Sequence, residues 1–323
     1  MPLPSDSRTL ADVASAAVDS YLPGLIDLYF NSNPLWIRLA SKERVILDGG
    51  DLIRQPILYT QLTGGSYSGL DTFDTTRVQT KTVLQFDWAQ YYVNLTVDGR
   101  TMLKTSGAGS RVLDLVEAEM ETARLSLAEE LGDDLFLDGT GNSGKDILGL
   151  IAAIDSGTNV ATYGGVGRNN GDALSTAVQG NLNTTGGALS LALINTGMGS
   201  ATIQPQRPDL LITTQIMWNR FWERVQPSQR EPSGPGFDDL SRVGFTAINF
   251  NGAAVVVDSH IAAGNVWGVN SETFKLVIHK DRDFKFTGFQ TPTNMDALIG
   301  QILWAGQLIC QSPRLNIRFT GLT

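Results

Sequence analysis

Between Thr63 and Thr82 the chain reads TGGSYSGLDTFDTTRVQTKT, a polar, threonine-rich stretch set between two segments better patterned as strands. These are ILY at Ile57 and LQFDWAQYYVNLTV from Leu84 to Val97. Threonine, tyrosine, phenylalanine and valine suit extended backbone, while Gly64, Gly65 and Gly69 mark turned positions. The region therefore reads as a long two-stranded excursion. A lone hairpin is marginal in water, so something outside it must order it. Another copy of the same chain is the expected partner, and the sizeable apolar groups Tyr67, Leu70, Phe73 and Val78 are predicted to touch it.

The segment before the excursion also needs a surface to lie on. Residues 1–45 read as an arm. Leu10, Val13, Ala14, Ala17 and Val18 keep helical spacing. The following stretch to Leu39 is too apolar to stay in solvent and must lie across its own domain or a neighbour, with Leu25, Tyr29, Phe30 and Trp36 as its predicted contact residues. Within 46–105, Val93, Leu95 and Val97 alternate as a half-buried strand does.

The period then becomes helical. From Ser110 to Phe136, Val112, Val116, Met120, Ala123, Leu127, Leu131 and Leu135 step by three or four residues and form one stripe. Ser110 suits the N-cap, and Asp114 suits the positive end of the helix dipole. Such a helix would run ~40 Å at 1.5 Å per residue. Its other face is acidic, carrying Asp114, Glu117, Glu119, Glu121, Glu129, Glu130, Asp133 and Asp134. That pattern reads as a solvated face or as one that meets a basic strip on a neighbour.

Residues 147–295 mix helices and strands. PDLLITT reads as a buried strand leading into a helix with Met217, Trp218, Phe221, Trp222 and Val225 on one face. Gln226–Asp239 holds three prolines and reads as a mobile loop. Asn251-Gly252 between AINF and AAVVVD is the favoured type I′ hairpin turn. FKLVIH and FKFTGF suggest further strands. From 296 onward, LIGQILWAGQLIC and LNIRFTGL read as two strands around a tight turn, the last returning beside the long helix.

Composition narrows the function. Charged residues make up 18% of the 323, below the ~25% usual for soluble domains, which fits a chain that leaves less surface to water. The net charge of −9 argues against a nucleic-acid-binding module but not against a wall that surrounds nucleic acid without gripping it. Cys310 is the single cysteine, so no intrachain disulfide forms, and it reads as a small buried hydrophobe. The N-terminus lacks a basic n-region and an apolar h-region, so it is not a secretory signal, and no window is apolar enough to span a membrane. A reducing, aqueous compartment is expected.

No motif supplies chemistry. GTGNSGKD from Gly139 to Asp146 approaches a phosphate loop, but Asp146 replaces the magnesium-binding hydroxyl and the motif follows a helix rather than a strand. Tyr67 occupies the nucleophile position of an apparent GxSxG elbow at 64–69. His260 has Asp258 and Ser259 beside it without a spacing that specifies a triad, and reads as a loop or strand-end histidine. With one cysteine and isolated His260 and His279, no zinc-type cluster is expected. Asp71 and Asp74 lack the remaining ligands of a calcium loop. Lys81 with Asn294 or Asn316 offers the residue types of an isopeptide cross-link, but their spacing does not select one. No catalytic residue, cofactor or metal is assigned.

The layout as a whole resembles the major capsid proteins of tailed bacteriophages. The resemblance is carried by GSYSGLDTFDT with FDWAQYYV, by LGDDLFLDGTG closing the helix, and by NMDALIGQILWAGQL with PRLNIRFTGL. It implies an α+β tailed-phage capsid fold. Its parts are an N-terminal arm (1–45), an extended β-hairpin loop (46–105), a peripheral domain with a long spine helix (106–146), an axial α/β domain (147–295), and a C-terminal return to the peripheral domain (296–323). The axial loop at the symmetry axes would be Gln226–Asp239. The implied role is an icosahedral shell of pentamers and hexamers around double-stranded DNA, in a virion capsid assembled in host cytoplasm. A portal and a separate scaffolding protein are implied partners, because no scaffolding region precedes the arm, and a decoration protein is compatible. A nanocompartment shell of the same fold, holding protein cargo, is the alternative. A hydrolase-like enzyme using His260 is a more distant one.

Overall fold

The computed structural model describes residues 33–100, 109–225 and 248–323, with the backbone alone along 109–118 and at several other helical positions. In chain order the strands are β1 (Arg44–Leu47), β2 (Ile53–Leu58), β3 (Lys81–Phe86), β4 (Ala89–Asp98), β5 (Thr162–Tyr163), β6 (Val166–Gly167) and β7 (Asn181–Asn183). There follow β8 (Leu210–Thr213), β9 (Ile248–Phe250), β10 (Ala253–Val257), β11 (Val266–Val269), β12 (Phe274–His279), β13 (Lys285–Phe286), β14 (Ala297–Cys310) and β15 (Ile317–Phe319). They form two principal sheets and two small hairpins, β2–β3 and β5–β6.

The first sheet is built on β14. Antiparallel pairing with β4 runs from Ala297↔Asp98 to Gly306↔Ala89, and the opposite edge takes β12 and then β13. β1 extends it by pairing in parallel with β12. On β4, Tyr91, Leu95 and Val97 point into the core while Tyr92, Asn94 and Thr96 point out, the alternation expected of a strand with one wet face.

The spine helix (Gly109–Leu135) packs on β4, and its buried positions Met120, Ala123, Leu127, Leu131 and Leu135 follow the predicted stripe. Val112 and Val116 lie in the helix, but their side chains fall outside the described residues. Asp134 departs from the predicted acidic face. It is buried, and its Oδ2 accepts the Tyr91 hydroxyl at 2.6 Å, while that hydroxyl also accepts the Ile147 backbone N–H at 2.9 Å. Burial raises the pKa of the Asp134 carboxyl and that of the Tyr91 phenol as well.

The second sheet runs β7-β15-β11-β8-β10-β9 and is covered on both faces. Leu210, Ile212, Val256 and Trp267 join the spine-helix core, whereas Leu211, Val255, Val266, Ile317 and Phe319 pack in a separate core that includes the helices Leu191–Ser200 and Gln215–Val225. Double coverage explains why all four residues of β8 are buried and read as one apolar run. At the β9–β10 turn, Asn251 and Gly252 adopt φ values of 51° and 81°, the left-handed pair that a type I′ turn requires. On the helix Gln215–Val225, Met217 and Phe221 are buried, and Trp218 stacks on the more exposed Trp222 at 5.8 Å.

Three expectations change. LQFDWAQYYVNLTV is two strands that part at Asp87–Trp88, β3 going to the hairpin and β4 to the first sheet. The two C-terminal strands do not pair with each other. β14 enters the first sheet, and β15 lies in the second, between β11 and β7, rather than beside the spine helix. β12, inside the expected axial stretch, belongs to the first sheet, so the sheets do not divide at residue 295. Among the described residues no helix is long and apolar enough to cross a membrane.

Candidate functional site

The hairpin β2–β3 pairs from Ile53↔Phe86 to Leu58↔Lys81, and regular pairing stops there. Its base is tied to the body. Ile53, Ile57, Leu84 and Phe86 are buried, the Phe86 ring meets Tyr163 edge-on at 5.1 Å, and the Gln85 N–H donates to Gly164 O at 3.0 Å. Gly164 sits so close to Leu84 that a Cβ there would fall 2.7 Å from the leucine Cβ. The hairpin is thus held at one end against the β5–β6 turn.

Beyond Leu58 the excursion opens to solvent, and residues 61–77 are exposed throughout. One further backbone bond, Tyr59 N–H to Thr80 O, extends the ladder. The hydrogen bonds of residues 61–78 stay within that segment. The Ser68 N–H donates to Asp71, the Asp71 N–H to Ser68 O, and the Thr76 N–H to Asp74. Asp71 and Asp74 therefore act as local turn residues. Leu70 is fully exposed, and Tyr67 and Phe73, at 67% and 66% exposure, meet only each other, edge to face at 5.0 Å. Val78 is half-buried.

Three more apolar groups share this exposure: Leu58, Leu62 and Val83. The alternation within β2 and β3 carried the signal, since Ile57 and Leu84 face inward and their neighbours Leu58 and Val83 must face out. Exposed apolar residues scattered singly are ordinary, but a row of them on one projecting element marks an interaction surface.

The other predicted residues are placed as follows. Trp36 is fully buried in the first-sheet core, its ring 6.3 Å from that of Trp304, on the helix Pro34–Lys42 that Asn33 caps. Leu25, Tyr29 and Phe30 lie outside the described residues, as does Gln226–Asp239. Cys310 is buried and its thiol is pushed up to about 12 by burial, the inert behaviour expected of a core cysteine. Asn316 is equally buried, its Oδ1 accepting the Asn270 N–H and its amide donating to Thr273 and to Ser312 O, so it is a core residue and not a free cross-linking partner for the exposed Lys81. GTGNSGKD is the turn leaving the spine helix, with Asn142 and Ser143 at positive φ. His260 bonds Asp258, while the neighbouring Ser259 is exposed and makes no bond to it.

No protein-family model matches the sequence, and no curated protein matches it. Solved structures do. The cyanophage A-1(L) capsid asymmetric unit is similar over 90% of this chain and 93% of that one, with a TM-score of 0.66 at 15% identity. The capsid of a native GTA particle covers 88% and 90%, with a TM-score of 0.57 at 7% identity. The holo-SrpI encapsulin complex from Synechococcus elongatus covers 90% and 88%, at 0.54 and 9%. At such identities the likeness is one of fold. The chain has the α+β fold of tailed-phage capsid proteins.

Proposed function

We propose that this chain is a major capsid protein that assembles with itself, as pentamers and hexamers, into an icosahedral shell enclosing double-stranded DNA. The observation that carries the reading is the hairpin 53–86, anchored at its base and apolar at a tip that its own subunit leaves bare. A subunit of this fold that extends such an arm completes its burial on a neighbour. Closed shells make many such contacts at once, so each can be weak and the whole still hold.

In this reading Tyr67, Leu70, Phe73 and Val78 are the strap across the adjacent subunit, with Leu25, Tyr29 and Phe30 as contacts of the arm. The first sheet and spine helix form the peripheral domain, and the second sheet with its helices forms the axial one. A net charge of −9 suits a wall that holds DNA by enclosure and not by sequence-specific grip. The particle would be a virion capsid assembled in host cytoplasm, with a portal, a separate scaffolding protein and, where present, a decoration protein as partners. No catalytic role belongs to this reading.

Expression of the chain with its scaffolding partner should yield shells or capsomers under negative-stain microscopy. A monodisperse monomer at every concentration would rule the reading out. The likeness to an encapsulin supports a second reading, a nanocompartment around protein cargo. Nuclease-protected DNA in purified particles selects the first, and co-purifying protein without DNA selects the second.

A further inference from the structure

We infer that Glu129, Asp133 and His260 form a site for a divalent cation of the zinc class. Glu129 and Asp133 stand one turn apart on the spine helix and share a face. His260 reaches them from the segment after β10, and the three ligand atoms lie within 4.8 Å of one another.

The histidine is what makes this more than a pair of surface carboxylates. Its side chain is only 4% exposed, and Nε2 is buried with no hydrogen-bond partner, 3.7 Å from Glu129 Oε2. A buried polar nitrogen without a partner is costly, and native structures seldom leave one so. The opposite ring nitrogen is held firmly. Nδ1 lies 2.7 Å from Asp258 Oδ1, and the His260 N–H donates to the same oxygen at 3.0 Å. Asp258 is itself buried, its N–H donating to Thr213 O. In the neutral imidazole that donates its Nδ1–H to Asp258, Nε2 keeps a lone pair and lies beside the two carboxylates. A carboxylate behind a histidine is the arrangement that orients an imidazole for a metal and raises its basicity.

The helix also makes room for the ring. Gly132 lies between the two acids, and a Cβ there would fall 2.5 Å from Nε2. Glycine weakens a helix interior, so its place here answers a close approach. The ring rests in a notch that any other residue would fill.

The donor set decides the class of ion. Zinc binds imidazole nitrogen and carboxylate oxygen at about 2.0–2.2 Å, which sets neighbouring ligands about 3–4 Å apart. The Nε2–Oε2 separation already meets this, and the exposed Glu129 and Asp133 side chains are free to close the rest. Calcium and magnesium favour sites made of oxygen alone. Water would complete the shell on the open side. The bound ion would clamp the spine helix to the second sheet, two parts that also share an apolar core.

Equilibrium dialysis of the full chain against zinc chloride, paired with thermal unfolding, tests this. The expected result is one saturable equivalent of zinc and a melting temperature that rises with zinc and falls with chelator. Glu129→Gln combined with Asp133→Asn alters two exposed side chains and leaves the core intact. It should weaken zinc at least about tenfold and abolish the thermal response. Asp258→Asn, which disturbs only the orientation of the ring, should weaken zinc by about 10–100-fold. His260→Gln should do so too, and if that variant does not fold, the double variant decides. Absence of a saturable equivalent, or equal affinity in the double variant, overturns the site.

Discussion

Asp155 and Asp134 are two buried carboxylates that the same fold pushes in opposite directions. Burial alone would raise the pKa of Asp155, but the N–H groups of Val160, Gly157 and Asn159 and the Asn159 amide all donate to it, and together they bring it below the ordinary value. Its contribution to stability is therefore present above the unfolded value of about 3.9 and is lost as pH falls through the lower folded value. For Asp134 burial wins over the Tyr91 hydrogen bond and the pKa rises. Its contribution is complete below about pH 3.9 and fades as pH climbs through the folded value. Asp155→Asn keeps the shape but gives up the charge that those donors stabilise. It should lower the melting temperature at pH 7, and the gap from the parent chain should narrow as pH drops below about 4. A gap that stays constant from pH 7 to 3 would show that Asp155 is not the ionised acceptor.

At the scale of elements, Gly149 packs against the end of the spine helix. A Cβ there would sit 2.5 Å from each of the carbonyl oxygens of Asp134, Leu135 and Leu137, all backbone atoms that cannot rotate aside. Gly149→Ala should cost about 1–3 kcal/mol through the shift it forces. Gly199→Ala, in a helix with nothing within 4 Å of the new methyl, should be neutral or stabilise by up to about 1 kcal/mol. Urea unfolding of the two variants separates these outcomes, and equal midpoints would remove the close-packing argument. Elements whose rules are local were legible in the sequence. The spine stripe, the all-buried β8 and the Asn251-Gly252 turn each follow from a period or a turn residue a few positions away. What was hidden depends on distant partners. Nothing near Asp87 says that β3 will pair with β2 and β4 with β14, and nothing in LNIRFTGL says that β11 and β7 will receive it. The cluster at His260 was hidden for the same reason, since the sequence separates that residue from Glu129 and Asp133 by several elements and only packing across the notch at Gly132 brings them together.

At the scale of the whole molecule, the hairpin divides into a base that serves the subunit and a tip that serves the assembly. The base residues Ile57 and Leu84 are buried in the first-sheet core, so replacing either with alanine should destabilise the subunit by about 2–5 kcal/mol. The tip residues touch no core. Changing Tyr67, Leu70 and Phe73 together to serine should leave subunit stability within about 0.5 kcal/mol for each exposed site, because only their own edge-to-face pair is lost. Assembly should respond in the opposite sense. Each subunit of a shell repeats the same strap contact, so a small loss per contact is multiplied over the closed particle. Deleting 64–80 carries the same logic further. Regular β2–β3 pairing ends at Leu58↔Lys81, so the deletion shortens a loop and gives up only the Tyr59 N–H to Thr80 O bond beyond that pair, and loop closure changes little in cost with such lengths. Both variants should unfold at the temperature of the parent subunit yet give no shells by light scattering or microscopy. If either lowers the unfolding temperature as the base variants do, the tip belongs to the subunit's own fold; if either still assembles as the parent does, the strap lies elsewhere.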